Sequence, residues 1–425
     1  MGSFVLYGPV TLRGKVEISG AKNAALPILA SIPLIKGTTV LHNVPRLEDV
    51  HTMIQILRSI GVKVEWKGEN TLLAINEGRC TGDVPYELVR KMRASFNILG
   101  PLTLSVGKAS VAQPGGCAIG LRPVNFHIDG LEKLGFSVSI SHGTVHATAP
   151  GHVDEGEVVV SFPRVSVGAT EHIMTTAAGM KGLTLQINNA AQEPEIEDLQ
   201  NFLNGCGARI TGAGTSSLTV EGVEELQGCE YTIMYDRIEA GTYLIAAAAT
   251  HGEVEVVNAC SNHLGALLEV FEYMGVNFTC NENGITVKAG DVYKPVKIEV
   301  NPYPGFPTDL QPQILAMLST VKGVSLVKEN VFKSRFGHVP ELNRMGASIV
   351  VEDSVAVVEG VEELTGAPVE ATDLRAAAAL LIAALMAKGE TIISHIEHIF
   401  RGYEKVIEKF RGLGVNIVYE PRDVE

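Results

Sequence analysis

Hydrophobic and polar positions repeat one pattern six times along the chain. An apolar stretch with helical spacing ends at a glycine, and a short segment of alternating apolar and polar residues follows it. The glycines of the six copies are Gly61, Gly135, Gly207, Gly275, Gly346 and Gly414, so that consecutive copies lie 68 to 74 residues apart. A helix that ends at a glycine and leads into a strand explains each copy. Such regular spacing indicates an internally repeated fold.

A second repeated segment lies upstream of each of these glycines. Small or charged residues open an apolar, often alanine-rich stretch, which closes at a glycine before another strand. The helices predicted from this pattern begin near Lys22, Arg93, Ser166, Arg237, Asp309 and Asp373. Each repeat is therefore predicted to be a βαβαββ unit of roughly 70 residues, in an α/β fold.

The two ends of the chain complement each other in this pattern. The sixth copy lacks a closing strand, whereas an unassigned strand pair occupies residues 4–20. We therefore expect the N-terminal segment to complete the last repeat. Two domains of three repeats follow, the first spanning 21–232 and the second combining 1–20 with 233–425. Repeats determine architecture and leave function open.

Composition is typical of a soluble globular protein, with 46% hydrophobic and 19% charged residues. The longest apolar stretch, at 376–387, is shorter than the roughly 20 residues that cross a bilayer, so we predict a buried helix there and no membrane span. The first residues lack the features of a signal peptide, which predicts a cytoplasmic location. The net charge of −14 argues against a nucleic acid or an acidic membrane as partner.

The six cysteines show neither zinc-type spacing nor the density of a disulfide scaffold. No metal site is predicted from them, and most are expected to be buried core residues.

Basic residues recur near the predicted helix starts. Free N–H groups and the helix dipole make a helix N-terminus attractive to anions, and a nearby cation strengthens this property. The residues concerned are Lys22, Arg93, Arg164, Arg237 and Arg375. The alternative is that individual members only pair with acidic neighbours, as Arg237 would with Asp236 or Glu239. If these ends meet at a cleft between the domains, an acidic protein would hold a basic interior suited to phosphates and carboxylates.

Glycines and prolines surround one cysteine in the segment 111–130. Cys117 lies five residues before Arg122, and a nearby cation favours the thiolate. A glycine-rich segment of this kind can close over a ligand, so Cys117 is a candidate acid or nucleophile. The alternative is a turn that contains an incidental buried cysteine.

Two aspartates occupy the same relative place in the fifth and sixth repeats. Asp309 follows a proline-rich approach to a helix, and Asp373 precedes an alanine-rich helix. Aspartate is a preferred N-cap residue, so capping alone would explain both positions. A catalytic interpretation of either residue needs support from elsewhere.

Six motifs taken together resemble the UDP-N-acetylglucosamine enolpyruvyl transferase family. They occur in the family's order and cover essentially the whole chain: ISGAKNAALP (18–27), RASFNILGP (93–101), PGGCAIGLRPV (114–124), FPTDLQPQ (306–313), TDLRA (372–376) and RGYEK (401–405). The resemblance implies a two-domain inside-out α/β barrel, each domain with three similar units and the active site in the cleft between the domains.

The resemblance also implies a reaction that uses no cofactor. The 3-hydroxyl of UDP-N-acetylglucosamine attacks the central carbon of phosphoenolpyruvate, whose methylene carbon gains a proton, and the tetrahedral intermediate then expels phosphate. This is the first committed step of peptidoglycan synthesis. The residues implied to be catalytic are Lys22, Cys117, Asp309 and Arg401, with Asp309 at the attacking hydroxyl. Cys117 matches the cysteine that assists proton transfer, forms a covalent adduct with phosphoenolpyruvate and is alkylated by fosfomycin.

Further substrate-binding positions follow from the same resemblance. They are Asn23, Arg93, Arg122, Pro123, Val124, Arg164, Ser166, Val167, Gly168, Val331, Arg335, Asp373 and Arg375. Ser166, Val167 and Gly168 match the contact with the nucleotide diphosphate, and Arg335 is expected to help close the cleft. Arg164 departs from the family pattern, which more often has lysine, and the two cations differ in geometry.

Three other functions compete with this one. The shikimate-pathway enolpyruvyl transferase shares fold and donor, but its lysine-serine entry motif is replaced here by GAKNAAL at 20–26. A non-catalytic nucleotide-sugar sensor would keep the fold without the chemistry, whereas this chain retains all four predicted catalytic side chains. A repeat scaffold for protein partners would show no closure on binding a ligand.

Overall fold

The computed structural model describes residues 2–113, 124–153, 155–288, 290, 292–332 and 334–421. The described residues form two compact units. The terminal unit holds the residues up to Ser19 and from Tyr235 onward, and the central unit holds those from Gly20 to Met234. Each unit has its own hydrophobic core.

Strands and helices alternate along the described chain. Up to Thr232 they are β1 (Gly2–Gly8), β2 (Arg13–Glu17), α1 (Lys22–Ser31), β3 (Ile35–His42), α2 (Glu48–Ser59), β4 (Lys63–Trp66), β5 (Leu72–Asn76), α3 (Tyr86–Val89), α4 (Leu99–Val106), β6 (Lys108–Ala112), α5 (Asn125–Lys133), β7 (Ser137–Ser141), β8 (Thr144–Thr148), β9 (Gly156–Ser161), α6 (Val167–Ala178), β10 (Leu183–Asn188), α7 (Pro194–Gly205), β11 (Arg209–Thr211), β12 (Ser217–Glu221), β13 (Leu226–Gln227) and β14 (Glu230–Thr232).

The remaining elements continue the same alternation. They are α8 (Arg237–Ala249), β15 (Glu253–Val257), α9 (Gly265–Met274), β16 (Phe278–Asn281), β17 (Gly284–Lys288), β18 (Lys297–Val300), α10 (Gln311–Leu318), β19 (Val324–Glu329), α11 (Val339–Arg344), β20 (Ser348–Glu352), β21 (Val355–Glu359), β22 (Pro368–Glu370), α12 (Leu374–Met386), β23 (Gly389–Ser394), α13 (Val406–Gly412) and β24 (Ile417–Pro421). Short 3₁₀ helices cover Ile32–Leu34, Arg93–Ile98, Ser261–His263, Thr308–Leu310 and Ile396–Arg401.

The fifth repeat illustrates the predicted unit. β18 and β19 pair in parallel, β21 pairs antiparallel to β19, and β20 lies at the outer edge. α10 connects the parallel strands and α11 leads from β19 to β20. The described strands form six sheets, three in each unit, and five of them have all four strands of the predicted unit. The sheet of the second repeat contains only β6, β8 and β7, and a single parallel bridge between Asp83 and Ser110 stands in place of its opening strand. The predicted βαβαββ unit is therefore confirmed for five repeats, and the second lacks its opening strand.

Two strands near the N-terminus join different sheets. β1 pairs antiparallel with β23 and with β24, so it closes the sixth repeat as predicted. β2 instead pairs in parallel with β15 and opens the sheet of the fourth repeat. The expectation that the whole segment 4–20 completes the last repeat is therefore wrong for β2. The opening strand of the first repeat comes likewise from a distant segment, since β13 and β14 pair with β3.

The predicted helix ends and starts lie where the sequence places them. The six repeated glycines have φ angles between 86° and 103°, which is the left-handed region that glycine adopts without strain. The helices α1 and α8 begin at the predicted residues, and Ser166 and Asp373 are the N-caps of α6 and α12.

The alanine-rich helices lie inside the units. Every residue of α8 is buried, and α12 is buried from Arg375 to Leu385. A helix enclosed on all sides has no polar face, which explains the continuous apolar run at 376–387. None of the described helices combines the length and hydropathy that crossing a membrane demands.

Cysteine burial differs from the expectation. Of the five described cysteines only Cys206 is buried; Cys80 and Cys229 are half-buried, and Cys260 and Cys280 are exposed. Cys280 lies on β16, at the edge of its sheet, where side chains on one face meet solvent. The prediction that most cysteines belong to the core is therefore wrong.

Asp198 on α7 binds the last residues of the central unit through hydrogen bonds. Its Oδ1 accepts a hydrogen bond of 2.7 Å from the Tyr231 hydroxyl, and its Oδ2 accepts one of 3.4 Å from the Met234 N–H. Burial raises the pKa of this carboxyl from 3.8 to about 6, in opposition to these two hydrogen bonds. The folded state therefore holds the Asp198 proton more tightly than the unfolded state does.

The pH dependence of stability follows from this raised pKa. As pH rises from 4 to 6, Asp198 ionises first in the unfolded state, so its contribution to the free energy of unfolding falls, by up to about 2 kcal/mol. Thermal unfolding of wild type and Asp198→Asn across this range measures the effect. As pH rises, we expect the melting temperature of the Asn variant to increase relative to that of the wild type. A difference that stays constant with pH would contradict the assignment.

Candidate functional site

A carboxylate between two arginines marks the start of α10 in the terminal unit. Asp309 lies in the 3₁₀ helix that precedes α10, and no side-chain capping bond is formed at either helix start. Its Oδ1 accepts a hydrogen bond from Arg335 Nη2 at 2.8 Å, and its Oδ2 accepts one from Arg375 Nη2 at 3.0 Å. The N-cap explanation is therefore wrong for Asp309, which is held by two charge-assisted hydrogen bonds.

Polar side chains from three helices extend this arrangement. Arg375 Nη1 donates to the Tyr403 hydroxyl at 3.2 Å, and that hydroxyl shares a hydrogen bond of 2.8 Å with Thr242 Oγ1. Gln313 Nε2 lies 3.1 Å from Thr242 Oγ1 and donates to the Asp309 carbonyl at 2.8 Å. We call Asp309, Arg335, Arg375, Tyr403, Thr242 and Gln313 the Asp309 cluster. The helices α8, α10 and α12 are thereby joined in one largely buried network.

Burial differs sharply within the Asp309 cluster. The side chains of Arg335 and Arg375 are 3% and 5% exposed, whereas that of Asp309 is 28% exposed. Burial is the largest single influence and disfavours the charged form of Arg375, but the charges of nearby acidic groups, Asp309 foremost, and the hydrogen bond to Asp309 together outweigh it and raise the pKa of the guanidinium above its ordinary value. The Asp309 carboxylate is thus held by two buried arginines and remains partly exposed to solvent. Such a group can accept a proton from a bound hydroxyl.

The other predicted residues of the terminal unit lie at a helix start, after a strand and at a helix end. Asp373 Oδ1 accepts hydrogen bonds from the N–H groups of Arg375 and Ala376, so the N-cap explanation holds for this aspartate. The Val331 N–H donates to Glu329 Oε1 at 2.8 Å. Arg401 ends the 3₁₀ helix Ile396–Arg401 and is half-buried.

Lys22 is the first residue of α1 in the central unit. Its Nζ lies 3.6 Å from Asp49 Oδ2, and the two side chains are only 13% and 8% exposed. Asn23 follows on the first turn of α1 and is half-buried. A cation at a helix N-terminus adds to the positive end of the dipole, which makes this position attractive to an anion.

The start of α6 forms a second anion-attracting position in the central unit. Ser166 is the N-cap, and its Oγ accepts a hydrogen bond from Ala169 N at 3.4 Å. Val167 and Gly168, the first two helical residues, are half-buried. A Cβ on Gly168 would lie 3.3 Å from His127 Cε1, so the glycine permits a close approach between α6 and this histidine.

Three more predicted residues lie in the central unit. Val124 is buried next to the start of α5. Arg93 opens a 3₁₀ helix, and its charge contributes to a lowered pKa of His127, after the larger effect of burial. Arg164 is exposed, and its guanidinium lies 5.6 Å from the ring centre of Phe126. Cys117, Arg122 and Pro123 lie outside the described residues.

The sequence interpretation missed four side chains of these arrangements. Gln313 and Tyr403 occur inside the quoted motifs FPTDLQPQ and RGYEK, so the motifs held a signal for both. His127 lies inside the glycine- and proline-rich segment 111–130, whereas no pattern distinguishes Thr242 from other buried threonines. Within the described part of the chain, no group of three or more His, Cys, Asp or Glu side chains could hold a metal ion.

Comparison with known proteins agrees with this organisation. The family model described as EPSP synthase (3-phosphoshikimate 1-carboxyvinyltransferase) matches residues 6–410. Proteins named UDP-N-acetylglucosamine 1-carboxyvinyltransferase from Thermotoga maritima and Kosmotoga olearia are 56% and 52% identical over 423 residues, which is 100% of each chain.

Solved structures show the same fold. The enolpyruvyl transferase NikO from Streptomyces tendae aligns with a TM-score of 0.87 at 22% identity, and the alignment covers 99% of this chain and 100% of that one. An EPSP synthase from Acinetobacter baumannii aligns with a TM-score of 0.77 at 18% identity, over 99% and 100% of the two chains. The predicted mixed α/β fold is thereby confirmed. The chain belongs to the family of carboxyvinyltransferases that includes EPSP synthase and UDP-N-acetylglucosamine 1-carboxyvinyltransferase.

Proposed function

We propose that this chain transfers the enolpyruvyl group of phosphoenolpyruvate to the 3-hydroxyl of UDP-N-acetylglucosamine and releases phosphate. The observation that carries the proposal is the 56% identity, over the full length, to proteins named for this acceptor. The family model alone is named for the shikimate acceptor, so the acceptor is argued from these relatives. The reaction is the first committed step of peptidoglycan synthesis, and we propose a cytoplasmic location for it.

The two groups of residues have complementary roles in this reaction. In the terminal unit, Asp309 takes the proton of the sugar hydroxyl as it attacks the central carbon of phosphoenolpyruvate. In the central unit, Lys22 stabilises negative charge on the phosphate and carboxylate of that substrate. The partly exposed Asp309 carboxylate and the nearly buried Lys22 side chain support these assignments. Arg401 and Arg93 supply further positive charge, and Ser166, Val167 and Gly168 bind the nucleotide diphosphate.

We further propose that the central and terminal units are the two domains and that they close around the substrates. Each would be an inside-out α/β barrel, with helices enclosed by outward-facing sheets. The complete burial of α8, and of most of α12, supports enclosed helices. Small-angle scattering with and without the sugar nucleotide tests the closure. An unchanged radius of gyration at saturating ligand would contradict it.

Phosphate release is the direct test of the reaction. We expect release only when phosphoenolpyruvate and UDP-N-acetylglucosamine are both present. Release with shikimate 3-phosphate in place of the sugar nucleotide would instead identify the shikimate-pathway reaction. Binding of the sugar nucleotide without any release would indicate a non-catalytic sensor.

Cys117 provides a chemical test of the segment 114–124. We propose that its thiol forms a covalent adduct with phosphoenolpyruvate and is the residue alkylated by fosfomycin. Cys117→Ser should abolish fosfomycin labelling and lower turnover by about 10²-fold or more, because the thiol assists proton transfer. Intact-protein mass spectrometry measures the label, and Cys260→Ser, at an exposed cysteine, is the control. Labelling that persists on another cysteine in the Cys117→Ser variant would contradict the assignment.

A further inference from the structure

Two buried histidines, His127 on α5 and His172 on α6, form a chain of hydrogen bonds near the start of α6. The Gly100 N–H donates to His172 Nε2 at 2.7 Å, and His172 Nδ1 lies 3.0 Å from His127 Nδ1. The exposed fractions of His127 and His172 are 2% and 0%. The ring of Phe96 packs edge-on against both imidazoles and holds their orientation.

The direction of this chain follows from the backbone donor at its end. A backbone N–H can only donate, so His172 Nε2 must be unprotonated and His172 carries its proton on Nδ1. That Nδ1–H donates to His127 Nδ1, which must then be the acceptor. The remaining proton of neutral His127 is therefore on Nε2. The backbone of Gly100 thus determines the tautomers of both rings.

Neither ring is suited to become a cation. Burial lowers the pKa of His172 to about 3, and burial, followed by the neighbouring His172 and Arg93, lowers the pKa of His127 well below its ordinary value. Protonation of His127 would also place two N–H groups against each other at 3.0 Å. The pair is therefore neutral throughout the physiological pH range.

The His127 Nε2–H is directed toward the start of α6. Within the described residues this buried nitrogen has no hydrogen-bond partner, which is a costly arrangement unless a ligand completes it. The ideal Cβ position of Gly168 lies 3.5 Å from His127 Nε2, so the nitrogen faces the first turn of α6. The helix N-terminus, the Arg93 charge and this donor all favour the same kind of ligand, an anionic oxygen.

We propose that His172 is a positioning residue that fixes His127 as a permanent Nε2–H donor to a phosphate oxygen of the sugar nucleotide. This inference rests on the proposed function, because that function supplies the diphosphate. His172 itself touches no substrate. Its role is to exclude the other tautomer of His127, in which Nε2 would be an acceptor and would repel the phosphate.

Two variants separate this role from a structural one. The amide nitrogen of asparagine can replace His172 Nδ1, so His172→Asn keeps the donor to His127 and loses the contact with Gly100. The amide oxygen of glutamine can replace Nε2, so His172→Gln keeps the Gly100 contact and loses the donor to His127. We expect His172→Gln to raise the KM for UDP-N-acetylglucosamine about tenfold at unchanged kcat, and His172→Asn to raise it by less than about threefold. Equal effects of the two variants would overturn the proposal.

The nitrogen chemical shifts of the histidines provide an independent readout. In ¹⁵N-histidine-labelled wild-type protein without substrate, we expect His127 to carry its proton on Nε2 and His172 on Nδ1. Observation of the opposite tautomer at His127 would overturn the inference even if both variants failed to fold. The phosphate-release assay distinguishes the two failures: a wrong tautomer in an active enzyme refutes only this inference, whereas an inactive wild-type protein refutes the proposed function on which it rests.

Discussion

Replacement of Asp309 by asparagine is expected to lower turnover by about 10²- to 10⁴-fold while binding of UDP-N-acetylglucosamine persists. Asparagine keeps the shape of the side chain and one hydrogen-bond acceptor, but it cannot take the proton of the sugar hydroxyl. The variant also leaves Arg335 and Arg375, both nearly buried, without their shared anion. Some loss of stability is therefore expected as well, since an unpaired buried charge is costly.

Steady-state phosphate release and calorimetric binding of the sugar nucleotide separate these effects. Asp353→Asn is a matched control, because Asp353 is exposed and has a positive φ of 53°, a conformation that asparagine tolerates. Thermal unfolding of both variants reports the structural part. Turnover of Asp309→Asn within a few-fold of wild type would mean that the carboxylate only holds the two arginines in place.

Much of the fold was predictable because its signals are local. The glycine at each helix end has a backbone conformation that other residues adopt only with strain, so the repeat is visible in the sequence. The burial of α12 follows equally from an apolar run with no polar face. The pairing of β2 with β15 was not predictable in this way, because their partnership depends on contacts between segments about 240 residues apart.

In the candidate site too, features with a local sequence signal were predictable and those that depend on distant contacts were not. Charged residues at helix starts are recognisable from spacing alone, and Lys22, Asp309 and Arg375 lie at or beside the predicted helix starts. Asp309 is oriented by charged partners, but Arg375 also bonds the neutral side chain of Tyr403, which in turn meets Thr242 from another repeat. No period in the sequence distinguishes these from ordinary core residues. His127 on α5 and His172 on α6 illustrate the limit, since their tautomers depend on the backbone N–H of Gly100 on α4.

Loss of the Lys22 charge is expected to have the other large effect. Lys22→Gln should lower kcat/KM for phosphoenolpyruvate by about 10²- to 10³-fold, because the side chain no longer stabilises negative charge that develops on the phosphate and carboxylate. The Lys22 Nζ lies at the start of α1 in surroundings that exclude most water, where a charge acts more strongly than at the surface. Asp49, at 3.6 Å, holds the ammonium group in place and limits its movement.

Initial rates at varied phosphoenolpyruvate and saturating sugar nucleotide measure the Lys22 effect. Lys22→Arg tests whether charge alone suffices. The planar guanidinium cannot place its charge where the compact ammonium group lies, so we expect only a partial recovery of kcat/KM, to within about tenfold of the Lys22→Gln value. Lys15→Gln is the control, because the Lys15 side chain is 61% exposed and pairs only loosely with Glu255, at 3.4 Å. A Lys22→Gln enzyme with near-normal kcat/KM for phosphoenolpyruvate would remove Lys22 from the catalytic residues, because the charge at the start of α1 would then serve only the ion pair with Asp49.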